Sequence, residues 1–145
     1  MENLSNIKIK FINKDIATII IGEAKTYNAL SFKNLGDLIK AFKKLDNDKN
    51  VKVIIIEGEG KGFSAGHNLK EVSRLKNKAK YQKLFNLCSK LMLQIVEGKK
   101  PVIAKVHGAA FAAGCQLVAS CDLAYSSNDA IFATPGVNIG LFCST

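Results

Sequence analysis

The stretch at residues 105–125 most constrains what this chain can fold into; it reads Lys-Val-His-Gly-Ala-Ala-Phe-Ala-Ala-Gly-Cys-Gln-Leu-Val-Ala-Ser-Cys-Asp-Leu-Ala-Tyr. It predicts an apolar strand, a cluster of very small residues, the start of a helix and a second strand. Backbone built from glycine and alanine can approach a ligand closely, because no long side chain intervenes. Main-chain N–H groups at such a turn can stabilise negative charge on a bound oxygen.

A second turn of the same kind lies upstream at residues 58–69, Gly-Glu-Gly-Lys-Gly-Phe-Ser-Ala-Gly-His-Asn-Leu. Two such turns could each supply one N–H group to the same oxygen. The segment also partly fits a dinucleotide-binding Gly-x-Gly-x-x-Gly pattern, but Phe63 stands at the third glycine and no acidic strand end follows about twenty residues later. A phosphate-binding P-loop is excluded because glycine, rather than Ser or Thr, follows Lys61.

Size and composition fit one globular domain. The chain has 145 residues, of which 48% are hydrophobic and 23% charged. The net charge of +9 is carried by twenty lysines and one arginine spread along the sequence, which is typical of a solvated surface. Attraction to polyanions, either a phosphate-bearing ligand or a nucleic acid, stays open. The lack of an arginine-rich, aromatic-interleaved patch argues against nucleic-acid readout.

Cysteine and histidine usage argues against a zinc site. None of the four cysteines forms a Cys-x-x-Cys pair, and only two histidines, His67 and His107, are present. Cys88 falls on the apolar face of a predicted helix and is interpreted as a buried reduced thiol. No apolar run reaches membrane-spanning length, and the first residues lack a basic region followed by an apolar stretch, so we predict no membrane partner and a cytoplasmic location.

Periodicity predicts strands alternating with helices. Residues 7–12 and 16–21 predict paired strands, and Ser31 predicts the cap of an amphipathic helix. Residues 53–56 predict a short strand buried on both sides. A long helix is predicted after an Asn68 cap, with an apolar face running to Val96, and a strand follows from Pro101 to residue 106. This order predicts an α/β fold with parallel pairing.

Four motifs in order carry a family resemblance: Tyr-Asn-Ala-Leu at 27–30, Phe-Ser-Ala-Gly-His-Asn-Leu at 63–69, Gly-Ala-Ala-Phe-Ala-Ala-Gly-Cys-Gln at 108–116, and Cys-Asp at 121–122 with residues 132–140 behind it. Together they resemble the crotonase (enoyl-CoA hydratase/isomerase) superfamily over nearly the whole chain. One group of that superfamily shares the histidine of the second motif and the segment Gly-Leu-Phe-Cys-Ser-Thr at 140–145. The resemblance implies a crotonase-like spiral of ββα units, an acyl-CoA thioester as ligand, and no cofactor beyond the CoA of the substrate.

The end of the chain carries a separate expectation. No charged residue follows Asp129, whereas members of the superfamily continue into C-terminal helices that build homotrimers and hexamers. We therefore expect residues 1–145 to be a single, incomplete crotonase-like domain, truncated before those helices; a shortened form, a split gene and a decayed reading frame all stay open. We also expect the strands at 53–56 and 102–106 to be partly uncovered, and residues 130–145 to be the most aggregation-prone part.

The resemblance implies specific site residues. The two N–H groups of the family's oxyanion hole fall on His67 and Ala113. The family's two catalytic glutamates fall on Gln116 and Gly136, and neither of these side chains can exchange a proton usefully. Hydration by the family's usual route is therefore not expected.

Substrate-binding positions follow from the same resemblance. Lys25 and the backbone around Ala29 would recognise CoA, since a lysine beside a phosphate forms a strong charge-assisted contact. The pantetheine path would be lined by Ala65, Gly66, His67, Asn68, Leu69 and Gly114.

Other groups could replace the missing acid and base. The His67 ring titrates near neutrality and could act as a general base, or it could simply pack locally while its N–H does the work. Cys115 could be a thiolate at a helix start or an inert buried thiol. His107 is interpreted as structural.

Three functional hypotheses result. The first is an enoyl-CoA hydratase/isomerase-like protein, a lyase of fatty acid metabolism by family, impaired in catalysis. The second is a non-catalytic acyl-CoA-binding or scaffold protein. The third is a non-functional gene fragment.

Overall fold

Two β-sheets organise the chain in a computed structural model, which describes residues 2–140 and the side chains from residue 4 onward. The larger sheet has six strands in the spatial order β1 (Glu2–Leu4), β2 (Ile7–Phe11), β3 (Ile16–Ile21), β4 (Val53–Gly58), β6 (Val102–Val106) and β8 (Leu123–Ser126). The smaller sheet contains β5 (Gly62–Ser64), β7 (Ala109–Phe111) and β9 (Ile131–Ala133).

Four α-helices accompany the sheets: α1 (Phe32–Asn47), α2 (Leu69–Val72), α3 (Lys78–Val96) and α4 (Ala113–Ala119). Two short 3₁₀ turns cover Ala24–Thr26 and Pro135–Ile139. The sequence-based Ser31 cap is confirmed, because the Ser31 hydroxyl accepts a hydrogen bond from the Asn34 N–H at 3.1 Å. Leucines of α1 and α3 pack into the buried core, among them Leu35, Leu38, Leu45, Leu84 and Leu91.

A strand–strand–helix unit repeats along the chain. β4, β5 and α3 form one unit and β6, β7 and α4 the next; in each, the first strand joins the larger sheet and the second joins the smaller one. β3, β4, β6 and β8 pair in parallel, which confirms the predicted α/β class, whereas β1, β2 and β3 pair antiparallel as hairpins. Because the chain leaves β4 and β6 at the same edge of the sheet, the two small-residue turns are neighbours.

The predicted long helix after Asn68 is wrong in one respect. Asn68 caps only the four-residue α2, and the longer α3 begins separately at an Asn77 cap, whose side chain accepts from the Lys80 N–H. Val96 was placed on the apolar face but is 65% exposed, because α3 ends there. The second cap was missed because the linker between the two helices, residues 73–77, carries no glycine or proline to mark it.

Burial of the strands also differs from expectation. In β4 only Ile54, Ile56 and Gly58 are fully buried, so one face is buried and the other is half-buried. β3, in contrast, is buried on both faces from Ala17 through Ile21. β3 and β4 both have a paired strand on each side, so the difference lies in what packs on their faces, and α1 contacts β3.

The expectation of partly uncovered strands at 53–56 and 102–106 holds for one face of each. Val53 and Ile55 are half-buried, as is Ile103, whereas Val102, Ala104 and Val106 on the other face of β6 are at most 2% exposed. Exposure is greater on β8, where all four residues are exposed, and on β9, where Ile131 is 59% exposed. Residues 141–145, which include Cys143 and the last part of the predicted aggregation-prone end, lie outside the described residues.

Candidate functional site

The two small-residue turns touch through their backbones. A Cβ atom built on Gly114 would lie 2.3 Å from the Ser64 carbonyl oxygen. A Cβ built on Gly66 would lie 2.8 Å from the Phe111 carbonyl oxygen and 3.1 Å from the Ala113 nitrogen. No side chain could stand at either glycine without separating the turns, so both glycines are required by close approach. The structure thus brings together the segment around His67 and the segment around Ala113.

Leu30 brackets His67 on one side of the first turn. Its N–H donates to the Gly66 carbonyl at 2.7 Å, and its carbonyl accepts from the Asn68 N–H at 3.4 Å. A trans peptide places its C=O and N–H on opposite sides. The Gly66–His67 peptide is therefore held so that the His67 N–H points away from Leu30.

The second turn is held by main-chain contacts. The Ala112 N–H donates to the Ala133 carbonyl at 2.8 Å, and the Ala112 carbonyl accepts from the Gln116 N–H at 3.0 Å. By the same geometry the Ala113 N–H points away from the body of α4. Within residues 2–140, neither the His67 N–H nor the Ala113 N–H donates a hydrogen bond to another group.

A fully buried asparagine organises the approach to the first turn. The Asn28 side chain accepts from the Glu23 N–H at 2.9 Å and donates to the carbonyls of Glu59 and Gly62, both at 2.8 Å. Its backbone has φ of 56°, a left-handed value that asparagine tolerates better than most residues. Sequence reasoning noted residues 27–30 as a motif but missed this role, because the partners are up to 34 residues away.

Ser64 connects that asparagine to the turn itself. The Ser64 hydroxyl donates to the Asn28 carbonyl at 2.9 Å and accepts from the Gly66 N–H at 3.3 Å. The Ala65 N–H also donates to the Tyr27 carbonyl at 2.9 Å. The first turn is therefore fastened to residues 27–30 by both side-chain and backbone hydrogen bonds.

The residues after His67 fasten the turn to α1. The Asn68 side chain accepts from the Glu71 N–H at 3.2 Å, which confirms the predicted cap. The Glu71 carboxylate accepts from the Phe32 N–H at 2.9 Å, at the start of α1. A carboxylate there satisfies an N–H group that has no partner within the helix. The starts of α1 and α2 are thus linked across the site.

The His67 ring is buried beside Phe85 of α3. The two ring centroids are 5.2 Å apart at an interplanar angle of 89°, an edge-to-face contact. Both ring nitrogens are buried without a hydrogen-bond partner among the described residues. Burial lowers the pKa of His67, and the nearby Leu30 backbone raises it only in part. The ring is therefore neutral near pH 7; its action as a general base stays a prediction.

The remaining predicted site residues are distributed around this contact. Ala65, Asn68 and Gly114 lie in or beside the two turns, and Gln116 lies on α4. Leu69 is 56% exposed at the start of α2. Ala29 is buried, and its carbonyl accepts from the Asn34 side chain at 2.8 Å. Lys25 is exposed on the 3₁₀ turn at Ala24–Thr26, and Gly136 lies on the one at Pro135–Ile139.

The cysteines and the second histidine make local contacts. Cys88 is buried as a thiol and is in no disulfide bond among the described residues. The Cys121 thiol donates to the Leu117 carbonyl at 3.2 Å, and burial together with the charge of Asp122 raises the pKa of Cys121 to about 12, so it stays a thiol. Cys115 is free and half-buried. The Nε2 atom of His107 lies 2.8 Å from the Gly60 carbonyl oxygen, a local contact.

No helix among residues 2–140 combines the length and the apolar character needed to cross a bilayer.

The chain is similar in sequence to curated proteins. The protein named enoyl-CoA hydratase domain-containing protein 3, mitochondrial, is 50% identical to it over 130 residues in Xenopus laevis and 48% identical in Homo sapiens. These alignments cover 90% of this chain but 44% and 43% of those proteins, so the chain spans less than half their length. This is the group to which the shared histidine and the Gly-Leu-Phe-Cys-Ser-Thr segment point, and that expectation is confirmed.

Solved structures agree with the sequence relatives. An enoyl-CoA hydratase of Mycobacterium smegmatis superposes with a TM-score of 0.93 at 43% identity, covering 96% of this chain and 54% of that one. The human enoyl-CoA hydratase domain-containing protein 3 superposes with a TM-score of 0.91 at 43% identity, covering 96% and 55%. The predicted crotonase-like fold is confirmed. With residues 11–145 matching the family's sequence pattern as well, the chain belongs to the enoyl-CoA hydratase/isomerase family.

Proposed function

We propose that this chain binds acyl-CoA thioesters, with the thioester oxygen accepting hydrogen bonds from the His67 and Ala113 N–H groups. The observation that carries the proposal is the backbone contact between the two turns, which holds these two donors side by side. Fixed N–H groups stabilise the negative charge of a developing enolate without having to reorganise. Membership of the family supports the same ligand class.

Catalysis by two carboxylates is not part of the proposal. Gln116 and Gly136 stand where the family resemblance places glutamates, and neither side chain can activate water or protonate carbon. We therefore infer an enoyl-CoA hydratase/isomerase-like protein that is impaired as a hydratase.

A non-catalytic acyl-CoA-binding or scaffold protein is the second candidate. The same two substitutions favour it, because they leave the proposed binding groups in place while removing the acid and the base. The two candidates separate on turnover: residual thioester chemistry supports the first, and binding alone supports the second.

Calorimetry tests the binding proposal. The 145-residue chain is titrated with acetyl-CoA, with free CoA and with acetate, and we expect acetyl-CoA to bind most tightly. Ala113→Pro removes one donor at the first position of α4, where proline is normally tolerated. Ala113→Ser keeps that N–H and is the matched control. Thermal unfolding of both variants shows whether each remains folded.

The expected outcome is a loss of the acetyl-CoA preference in Ala113→Pro and its retention in Ala113→Ser. Equal and negligible heats for all three ligands with the folded chain would contradict the binding proposal.

A hydration assay with crotonyl-CoA tests the catalytic part. Losing each positioned acid or base costs about 10²- to 10⁴-fold in rate, so we expect no useful turnover. Turnover comparable to an ordinary hydratase would contradict the proposed impairment and would point to His67.

We propose the cytoplasm and the mitochondrion as the two candidate locations, the second because the relatives named above carry the word mitochondrial in their names. Imaging of the chain with a fluorescent protein fused to its C-terminus distinguishes the two compartments.

A further inference from the structure

Ala112 has a backbone conformation that alanine rarely adopts. Its φ is +49° and its ψ is −121°, whereas Tyr27, another residue with positive φ, occupies the ordinary left-handed helical region at φ 51° and ψ 45°. A side-chain-bearing residue in such a region is strained, and strain of this kind persists only where the surroundings hold it. Glycine would adopt these angles without strain.

The Ala112 methyl group lies between the two proposed donor peptides. A Cβ built on Gly66 would be 3.0 Å from the Ala112 Cβ, so the methyl fills the space beside Gly66. Gly66 begins the peptide that ends in the His67 N–H, and Ala112 begins the peptide that ends in the Ala113 N–H. The strained residue therefore contacts one donor peptide and belongs to the other.

Other contacts hold each peptide, and the Ala112 methyl packs beside Gly66 together with the Phe111 carbonyl oxygen, which would lie 2.8 Å from a Cβ built on Gly66. Leu30 holds the Gly66 carbonyl, while Ala133 and Gln116 hold the N–H and the carbonyl of Ala112. The contact of Gly114 with Ser64 presses the turns together. A spacer that resists this approach would fix the distance between the two N–H groups.

We propose that Ala112 is a positioning residue whose methyl group, kept in place by a strained backbone, sets the spacing of the His67 and Ala113 N–H groups. This inference rests on the proposed function. It predicts that Ala112→Gly relieves the strain yet loosens the site, so that stability and ligand polarisation change in opposite directions.

The matched control is Ser5→Gly. Ser5 also has a positive φ, of 54°, but lies in the turn between β1 and β2, outside the two turns of the site. Ser5→Gly, like Ala112→Gly, introduces glycine at a position with positive φ, but outside the two turns.

Three measurements are made on the unaltered chain and both variants: thermal unfolding, the dissociation constants of acetyl-CoA and of free CoA, and the infrared stretch of a ¹³C-labelled thioester carbonyl in bound acetyl-CoA. Hydrogen bonds to the carbonyl lower its stretching frequency. For Ala112→Gly we expect an unfolding temperature that is equal or higher, a preference for acetyl-CoA over CoA reduced by about threefold or more, and a smaller frequency shift. For Ser5→Gly we expect unchanged binding and an unchanged shift.

An unchanged affinity and frequency shift in Ala112→Gly would overturn the spacing role. A lower unfolding temperature would also overturn it, because it would show that the Ala112 backbone is not strained. Failure of the proposed function looks different: the unaltered chain itself would show neither a preference for acetyl-CoA nor a frequency shift.

Discussion

The two turns of the candidate site are held by different kinds of contact. The first turn, residues 58–69, is fastened by side chains, with Asn28, Ser64, Asn68 and Glu71 each making a hydrogen bond to the backbone. The second turn, residues 108–116, is held by main-chain hydrogen bonds to Ala133 and Gln116 and by the contact of Gly114. Close approach at Gly66 and Gly114 is common to both turns, and polar side chains fasten the first turn in addition.

This difference predicts different sensitivities. Loss of a hydrogen bond in the first turn should lower the free energy of unfolding by a moderate amount, because each bond contributes separately. The second should respond to added volume, which is severe where backbone faces backbone. Substitutions of each kind test whether the comparison holds.

The largest effect is expected for Gly114→Ala. The new methyl would overlap the Ser64 carbonyl, and backbone on both sides cannot move aside cheaply. We expect the free energy of unfolding to fall by about 4 kcal/mol or more, measured by denaturant unfolding. The control is Gly36→Ala within α1, where nothing lies within 4 Å of the added atom. The free energy of unfolding of Gly36→Ala should rise by about 0.5–1 kcal/mol. A similar fall in both variants would contradict the prediction.

Asn28→Ala should come next. It removes three hydrogen bonds around the first turn and places alanine at a left-handed φ of 56°. We expect a loss of about 3 kcal/mol in the free energy of unfolding, chiefly from buried groups left without partners. Asn47→Ala, which removes one exposed hydrogen bond to the Lys43 carbonyl, is the control and should cost less than about 1 kcal/mol. Equal losses would mean that the first turn does not depend on its side-chain hydrogen bonds.

His67→Leu should increase stability. The ring nitrogens are buried without partners among the described residues, and removing such a group recovers about 1–2 kcal/mol of desolvation cost. Unfolding by urea at pH 7 measures the gain. His107→Leu is the control: it loses the contact with the Gly60 carbonyl and should gain nothing. A destabilised His67→Leu would show that the ring is held by favourable contacts.

The pH dependence of stability should differ between the unaltered chain and His67→Leu. Burial lowers the pKa of folded His67 below the ordinary histidine value of about 6.5, so below that pH the unfolded chain binds a proton that the folded chain does not bind. The stability of the unaltered chain should therefore fall as pH drops from about 6.5 towards the lower folded pKa. His67→Leu should lack this component, which is measured as the difference in unfolding free energy between the two proteins at pH 7 and pH 5. A constant difference would contradict the assignment.

The smallest effect is expected for Lys25→Ala. Lys25 is exposed three residues before Asn28, on the segment that holds the first turn. We therefore expect recognition of CoA to involve this side chain. We expect the affinity for acetyl-CoA to fall by about two- to fivefold at low salt and by less at high salt, because exposed ion pairs are weak and screened. Lys49→Ala, exposed between α1 and β4, is the control for net charge. An equal loss in both variants would assign the effect to overall charge.

Local signals carried much of the fold. The Ser31 and Asn68 caps and the strands at β2, β3 and β6 follow from hydrogen-bonding side chains and alternating apolar residues, and the structure contains each of them. The break before α3 was not visible, because its capping residue, Asn77, lies in a lysine-rich segment without a strong terminator. Burial of β4 on both faces was wrongly predicted, since burial depends on what packs against each face of the sheet and not on the strand's own residues.

The candidate site divides in the same way. From the order of its motifs, the sequence by itself determined the family and the two turns, because small residues and their spacing are local properties. Only the tertiary structure decided that Gly114 meets Ser64, that Asn28 reaches Glu59 and Gly62, and that the His67 ring lies without a partner against Phe85. These contacts join residues far apart in the chain, and the winding of strands between two sheets, which brings them together, is not encoded at any one position.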